Sequence, residues 1–201
     1  MKKNQLSRRF FMKTSGFAAA ASLLPASILK AETITNSEGL KPVLIKPGEG
    51  ERFSNPSSSF TRKITAADTG GGFSCTETIV NDGWLVGPPH LHHNLDEIMY
   101  VLEGTITLLI GEDVIELPEG SWHLRPRKII HTFWNKSGKP AKIIDLYLPG
   151  GFEEYLKQLC GIYKQYGKIE VSEVQKLIKV YDIEPHFELL QPLIEKYQLR
   201  F

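Results

Sequence analysis

The chain has 201 residues, of which 41% are hydrophobic and 23% are charged, so it is long enough to bury one ordinary hydrophobic core. Its formal net charge of +1 conceals an asymmetry, because residues 1–31 contain six basic side chains and no acidic ones. Residues 32–201 hold 18 basic and 23 acidic side chains. A mildly acidic body argues against nucleic acid, and against an anionic membrane surface, as the partner.

The first 31 residues resemble an export signal. The stretch SRRFFMK at residues 7–13 matches the twin-arginine motif S-R-R-x-F-x-K, with Phe11 in the aromatic position. It precedes a weakly apolar run of 16 residues, Thr14 to Leu29, which is too short to span a bilayer comfortably. The resemblance implies passage through the twin-arginine translocase and a periplasmic or otherwise exported protein, with cleavage near Ala31. The alternatives are a basic amphipathic helix and an anchor that is never cut.

The body of the chain changes character twice. Residues 32–59 are rich in Ser, Asn, Gly, Pro and Lys, which indicates a linker and a leading strand. Residues 60–149 alternate short β-branched and aromatic runs with turn sequences such as NDG, GED and PEG. That pattern predicts an all-β domain of antiparallel strands, arranged as a sandwich or a barrel.

Residues 150–201 have a helical pattern instead. Apolar residues recur at intervals of three and four between Phe152 and Tyr166, which predicts one amphipathic helix. Ser172 and Gln175 form a capping-box pattern for a second helix, and Pro185 suits the first turn of a third. We therefore expect two or three C-terminal α-helices that pack on the β domain or on a neighbouring subunit.

The chain contains two cysteines, Cys75 and Cys160. An exported protein could join them in a disulfide. Cys75 lies in a strand-like run and Cys160 on the apolar side of the first predicted helix. We favour two buried free thiols.

Half of the six histidines fall within residues 90–93, just before Glu97. Because alternate side chains of a strand point the same way, His90 and His92 project from one face. Glu97 lies five positions beyond His92, so strict alternation places it on the opposite face. The polar segment between them can supply a kink or bulge that turns the carboxylate back.

His131 follows downstream in a short β-like run. Three neutral imidazoles and one carboxylate, presented by strands of one β domain, can form a mononuclear site for a divalent first-row metal. Four protein ligands would leave two octahedral positions for water, substrate or dioxygen. A ligand set without thiolate favours Fe, Mn, Co, Ni, Cu or Zn and does not choose among them.

These residues resemble the two sequence motifs of the cupin superfamily. The first motif, H-x-H, four residues, Glu, six residues, Gly, is matched by His90, His92, Glu97 and Gly104. The second, G-x5-P-x-G-x2-H-x3-N, is matched by Gly120, Pro126, His131 and Asn135, with Lys128 in place of the inner glycine. The phrases YVLEG and PGGFEEYLKQL are similar to those of single-domain, quercetinase-like bacterial cupins.

The resemblance covers about residues 60–155 and has three implications. It implies an antiparallel double-stranded β-helix, or jelly-roll barrel, over residues 60–149. It implies one divalent transition metal held by His90, His92, Glu97 and His131. It also makes a homodimer possible, since cupins often pair, but the sequence leaves the oligomeric state open. It leaves the reaction open, because a fold does not determine a function.

Other residues near the motifs have two interpretations. Met99 and Val101 share a strand face with Glu97, and Phe133 shares one with His131, so all three are candidates for a substrate pocket or plain core. The basic run 125–128 could meet an anionic substrate, but a solvated loop is the interpretation that we favour.

The leading functional hypothesis, implied by the resemblance, is a metal-dependent oxidoreductase of the dioxygenase type. Its substrate would be a small phenolic or enolisable molecule, and Glu97 would also act as a general base. One alternative is a non-redox isomerase, lyase or hydrolase that uses the metal as a Lewis acid. Another is a non-catalytic module that binds a small ligand.

Overall fold

The computed structural model describes residues 39–201, so the predicted export signal lies outside the described residues. Within that range the chain forms eleven strands and three α-helices. The strands are β1 (Glu51–Ser54), β2 (Ser58–Ile64), β3 (Ser74–Val80), β4 (Trp84–Leu91), β5 (Asp96–Glu103), β6 (Thr105–Ile110), β7 (Asp113–Pro118), β8 (Trp122–Arg125), β9 (His131–Asn135), β10 (Ala141–Leu148) and β11 (Glu184–Pro185). The helices are α1 (Phe152–Tyr166), α2 (Val171–Val180) and α3 (Leu190–Tyr197).

The strands form two antiparallel sheets that face each other. The six-stranded sheet has the order β1-β2-β3-β10-β5-β8, and the five-stranded sheet has the order β11-β4-β9-β6-β7. The predicted all-β jelly-roll class is confirmed. Its form is a sandwich of two open sheets, since the strands of residues 39–201 do not close into a barrel.

The inner faces of the sheets follow the period of two that their sequences predict. In β10, Ala141, Ile143, Asp145 and Tyr147 are buried, and the residues between them are less so. The hydrophobic core between the sheets comes from both of them. It consists of Val80, Met99, Val101, Ile106, Leu108, Leu117, Phe133, Ala141 and Ile143.

The register of β5 and β10 gathers polar side chains at one end of the sandwich. Tyr147 lies opposite Glu97, and Asp145 lies opposite Met99. At the other end of the same two strands Ile143 lies opposite Val101. One end of the interior is therefore apolar core, and the other end presents buried polar groups.

The helices cover the sandwich with apolar side chains. Helix α1 has the predicted bounds, and its buried Phe152, Leu156 and Cys160 pack with Phe60 and Tyr147. Leu193 of α3 packs with Leu199 on the outer face of the five-stranded sheet, against Leu85, Leu109 and Trp134. None of the side chains of α2 is fully buried. No helix within residues 39–201 combines the length and the apolarity that a membrane crossing requires.

Two details of the predicted helices are wrong. Helix α2 begins at Val171 with Glu170 as its N-cap, and Ser172 bonds the Glu170 carboxylate rather than the helix backbone, so there is no capping box. Pro185 does not open a helix. It lies in β11, paired with His90, because the neighbouring N–H of His186 reaches the carbonyl of Pro89 at 2.7 Å.

The two cysteines are free thiols, as predicted. Cys160 is buried on α1, as expected, whereas Cys75 in β3 is only half-buried.

Candidate metal centre

Three histidines and one glutamate converge at the polar end of the sandwich. His90 and His131 face each other as register partners on β4 and β9. His92 follows the last residue of β4, and Glu97 lies near the start of β5. One ligand atom from each of the four residues lies within 4.8 Å of the others. The structure thus brings together the four residues whose spacing suggested a metal site.

Glu97 reaches the histidines by a different route from the predicted kink. Strand β4 belongs to the five-stranded sheet and β5 to the six-stranded sheet. Residues 92–95 therefore carry the chain from one sheet to the other. The carboxylate approaches from the opposite wall of the sandwich, which is why strict alternation along one strand failed to place it.

Backbone carbonyls fix the tautomer of all three imidazoles. Nδ1 lies 2.8 Å from the Pro88 carbonyl in His90, 2.8 Å from the Asp182 carbonyl in His92, and 3.0 Å from the Ile129 carbonyl in His131. A carbonyl oxygen can only accept, so each Nδ1 must carry the proton. In the neutral form of each ring, Nε2 then has the free lone pair that binds a metal.

The free lone pairs have no donor to satisfy them. The Nε2 atoms of His92 and His131 and the Oε2 atom of Glu97 are buried with no hydrogen-bond partner among the described residues. Nε2 of His131 lies only 2.7 Å from Oε2 of Glu97. Two acceptors so close together repel each other unless a proton or a metal ion lies between them. The residues present therefore fit a bound metal ion.

The protonation states suit the same conclusion. Removal from water, together with the neighbouring imidazoles of His131 and His92, lowers the pKa of His90 to about 3. Burial alone would raise the pKa of Glu97, but the Arg125 guanidinium and His131 outweigh it and hold that pKa well below its usual range. At neutral pH the site offers a neutral imidazole at His90 and an ionised carboxylate at Glu97.

Arg125 and Asp145 belong to this site, although the sequence suggested a solvated basic loop for Arg125. That interpretation is wrong for Arg125, which is 2% exposed. Its Nη2 donates to the carboxylate of Asp145, and its Nε lies 3.6 Å from Oε2 of Glu97. The missed signal was in β10, where Asp145 occupies the inward face between Ile143 and Tyr147 and so needs a buried cation.

Lys128 adopts the backbone conformation of the glycine that it replaces in the second motif. Its φ is 66°, in the left-handed region. Its N–H donates to the carbonyl of His92 at 2.6 Å. A lysine thus occupies a left-handed turn position that favours glycine, at the cost of a side chain in a disfavoured region.

The C-terminal segment also holds the site in place. Asp182 accepts the His92 Nδ1–H through its backbone carbonyl and the Asn94 N–H, at 2.7 Å, through its carboxylate. This contact joins residues 90 positions apart, and no local pattern in the sequence indicates it.

A cavity of about 270 Å³ opens beside the four residues. His90, Glu97, Arg125 and Asp145 line its polar part. The rest of its wall is mainly apolar and aromatic, with residues of β4, α1 and α2 that include Trp84, Phe152, Tyr155, Leu159, Tyr163, Val174 and Ile178.

The three predicted pocket residues have different positions. Phe133 lines the cavity. Met99 and Val101 do not, since they are 1% and 0% exposed within the core between the sheets. They share the face of Glu97, but each lies further from the cavity end of β5, so the prediction of a pocket role for these two is wrong.

The comparisons with known proteins agree with this geometry. Residues 76–147 match the Cupin_2 family, described as a cupin domain. A quercetin 2,3-dioxygenase of Bacillus subtilis (strain 168) is 25% identical over 154 residues, which are 76% of this chain and 44% of that protein. The chain thus spans less than half the length of this relative.

A solved structure shows a similar fold. The structure of KdgF from Halomonas sp. superposes with a TM-score of 0.50 at 18% identity, over 57% of this chain and 99% of that one. At this identity the likeness concerns the fold alone. The family match, the fold and the two motifs together support a cupin domain at residues 76–147, with the four convergent side chains at one end of its sandwich.

Proposed function

We propose that this protein is a mononuclear metal-dependent oxidoreductase of the dioxygenase type that acts on a small phenolic or enolisable molecule. The observation that carries the proposal is the position of the metal-ligand set. Three imidazoles and one carboxylate converge within 4.8 Å of one another, and two of these residues, His90 and Glu97, line a mainly apolar and aromatic cavity. The similarity to a quercetin 2,3-dioxygenase supports the reaction class.

The residues of the chain have distinct parts in such a reaction. A bound metal ion would act as a Lewis acid toward a substrate oxygen and would exchange electrons with dioxygen. The carbonyls of Pro88, Asp182 and Ile129 keep the imidazoles in the ligating tautomer. Glu97 is ionised beside the cavity, so it can accept a proton from a substrate hydroxyl or carbon. The apolar wall excludes water and favours a planar apolar substrate.

Oxygen uptake tests the proposal. The protein is reconstituted separately with Fe²⁺, Mn²⁺, Ni²⁺, Co²⁺, Cu²⁺ and Zn²⁺ and supplied with flavonols, catechols and β-diketones. We expect uptake above the metal-free level with at least one redox-active metal, and loss of that uptake in His131→Ala. No uptake across the panel, with metal demonstrably bound, would contradict the dioxygenase assignment.

A second candidate is a non-redox isomerase or lyase, and one observation favours it. Burial raises the pKa of Asp145 to about 6, although Arg125 opposes the shift, and the carboxyl lines the same cavity. A carboxyl that titrates near neutral pH can both donate and accept a proton. Turnover of an enolisable substrate without oxygen would support this candidate, and a strict requirement for oxygen would exclude it.

We also propose that residues 1–31 export the protein by the twin-arginine route. The heptapeptide Ser7–Lys13 supports this, and a metal site offers a reason to fold before export. Replacement of both Arg8 and Arg9 by Lys should retain the protein in the cytoplasm, as measured by cell fractionation. An unchanged distribution in that variant would overturn the proposal.

A further inference from the structure

The cavity contains an unusual set of buried charges. Its lining includes three residues that carry charge at neutral pH, namely Glu97, Arg125 and Asp145. They are 3%, 2% and 3% exposed, respectively. Water therefore screens their charges poorly, and the sum of those charges influences what the cavity can bind.

Arg125 is not fully paired by its neighbours. Asp145 takes the Nη2 donor. The Nε atom is buried without a hydrogen-bond partner among the described residues, because Glu97 lies beyond hydrogen-bond distance at 3.6 Å. The guanidinium also lies over the ring of Phe133, 5.2 Å from its centroid, and both residues line the cavity. A buried guanidinium donor without a partner favours an acceptor supplied by a ligand.

The net charge of the cavity changes sign when a divalent ion binds. The two carboxylates and the guanidinium carry a net charge of −1, and a divalent cation changes that charge to +1. Protonation of Asp145 would only add to the positive charge. An uncompensated charge inside an apolar cavity is costly, and one anionic ligand group cancels it.

We propose that the cavity selects an aromatic or apolar substrate that carries one anionic oxygen group, and that Arg125 is the residue that determines this preference. The inference rests on the metal centre of the proposed function but does not depend on reaction with dioxygen. The anionic group is a carboxylate or an ionised phenol or enol, since these share the acceptor chemistry that a guanidinium N–H and a metal ion recognise.

Binding of small probes to the zinc-loaded protein tests the inference, because zinc is redox-inert and permits binding without turnover. Titration calorimetry at pH 8 compares benzoate with its neutral counterpart benzamide. We expect benzoate to bind at least about tenfold more tightly. The preference should disappear when zinc is removed. A parallel titration with 4-nitrophenolate determines whether an ionised phenol serves as well as a carboxylate.

Two substitutions at the same ion pair should act in opposite directions. Arg125→Gln removes the positive charge and should weaken benzoate binding about tenfold or more. Asp145→Asn removes a negative charge and should strengthen it. Arg125→Lys keeps the charge and should retain part of the preference, which provides a test if the glutamine variant does not fold. If the ion pair were merely structural, the two substitutions would not change benzoate affinity in opposite directions.

The outcomes are separable. Equal affinity for benzoate and benzamide, or weaker benzoate binding in both the Arg125→Gln and Asp145→Asn variants, would overturn the inference. Failure of the wild-type protein to bind zinc or any other first-row divalent ion would overturn it together with the metal centre. Selective benzoate binding without oxygen uptake on any substrate would leave it standing and count against the dioxygenase assignment alone.

Discussion

At the residue scale, the three histidines of the site are oriented in the same way. Each gives its Nδ1–H to a backbone carbonyl, and in His90 and His131 that carbonyl belongs to the residue two positions earlier. The local backbone thus fixes the direction of Nε2 before any metal arrives. A preorganised donor set reduces the ordering that metal binding requires.

Lys128 stores backbone strain beside this site. Its left-handed conformation costs about 1–2 kcal/mol for an L-residue. Replacement by glycine relieves this strain, but the stability gained is smaller than the strain because glycine has more conformational freedom in the unfolded chain. We expect Lys128→Gly to raise the free energy of unfolding by up to about 1 kcal/mol, and Lys128→Val to lower it by about 1–2 kcal/mol. Chemical denaturation measures both. A valine variant as stable as the glycine variant would show that the turn is not left-handed.

The thiols should be unreactive in the folded protein. Burial raises the pKa of Cys75 to about 11 and that of Cys160 to about 12. Thiolate is the reactive form, so a raised pKa leaves very little of it at pH 8. We expect two thiols to titrate with Ellman's reagent in denaturant, and slow reaction of both without denaturant. Absence of free thiol in denaturant, before any reductant is added, would reveal a disulfide instead.

Sequence reasoning at the residue scale succeeded where one motif contained the information. His90, His92, Glu97 and His131 stand at fixed spacings that predict a common site. Arg125 was missed because its partner Asp145 lies 20 positions away, on another strand. The register that joins them through β5 was needed to see that both side chains point inward.

At the scale of elements, the crossing from β4 to β5 is what assembles the site. The histidines stand on the five-stranded sheet and Glu97 on the six-stranded sheet. A register shift between Val86 and His90 precedes the crossing, at the segment that contains Pro88 and Pro89. Proline lacks the N–H that regular pairing requires, so a break in the ladder at this position follows from the sequence.

The turn after α2 should contribute to metal affinity. Asp182 has a φ of 52° and orients both His92 and Asn94. Asp182→Ala should weaken zinc binding about tenfold, because it removes the acceptor for Asn94 and strains the left-handed turn. Asp182→Asn keeps both features and should stay within about threefold of wild type. Competition with a chelator measures the affinity.

Asp113→Ala provides the matched control for this test. Asp113 is exposed at the start of β7, which contributes none of the four ligands and is separated from His131 by β6, and its replacement should leave zinc affinity unchanged. Equal affinities in the Asp182→Ala and Asp113→Ala variants would show that the C-terminal turn does not hold His92 in its ligating position.

Helix prediction was good where packing and periodicity agreed. Helix α1 begins and ends at the residues that its apolar repeat indicates, and that apolar face is the one buried. Helix α2 has a similar repeat but is not fully buried, and its start depends on the local backbone rather than on a Ser172 cap. Pro185 lies in a short strand that pairs with β4, about 95 positions earlier in the chain. A local sequence window does not contain information on such a distant partner.

The whole molecule is a sandwich with an apolar interior at one end and a cavity with buried charges at the other. The period of two along β5 and β10 predicts the inward faces, but it does not predict where core ends and cavity begins. Met99 and Val101 therefore became core residues despite sharing a face with Glu97. The cavity also depends on α1 and α2, whose position no strand pattern specifies.

Metal binding should stabilise the whole fold, because the unfolded chain does not hold the four ligands together. Zinc at about 100 times its dissociation constant should add about 2.7 kcal/mol to the free energy of unfolding. That corresponds to a rise in Tm of about 5–10 °C for a chain of this size. Scanning calorimetry with and without zinc measures the shift. His131→Ala should show none, and an equal shift in that variant would place the zinc elsewhere.

The central claim is that His90, His92, Glu97 and His131 hold one metal ion. Elemental analysis of the full-length protein, purified from cells without chelator, tests it most directly. The account predicts about one equivalent of a first-row transition metal in the wild-type protein and less than about a tenth in the folded His131→Ala variant. A folded wild-type protein that contains no metal and takes up none when metal is added would contradict it.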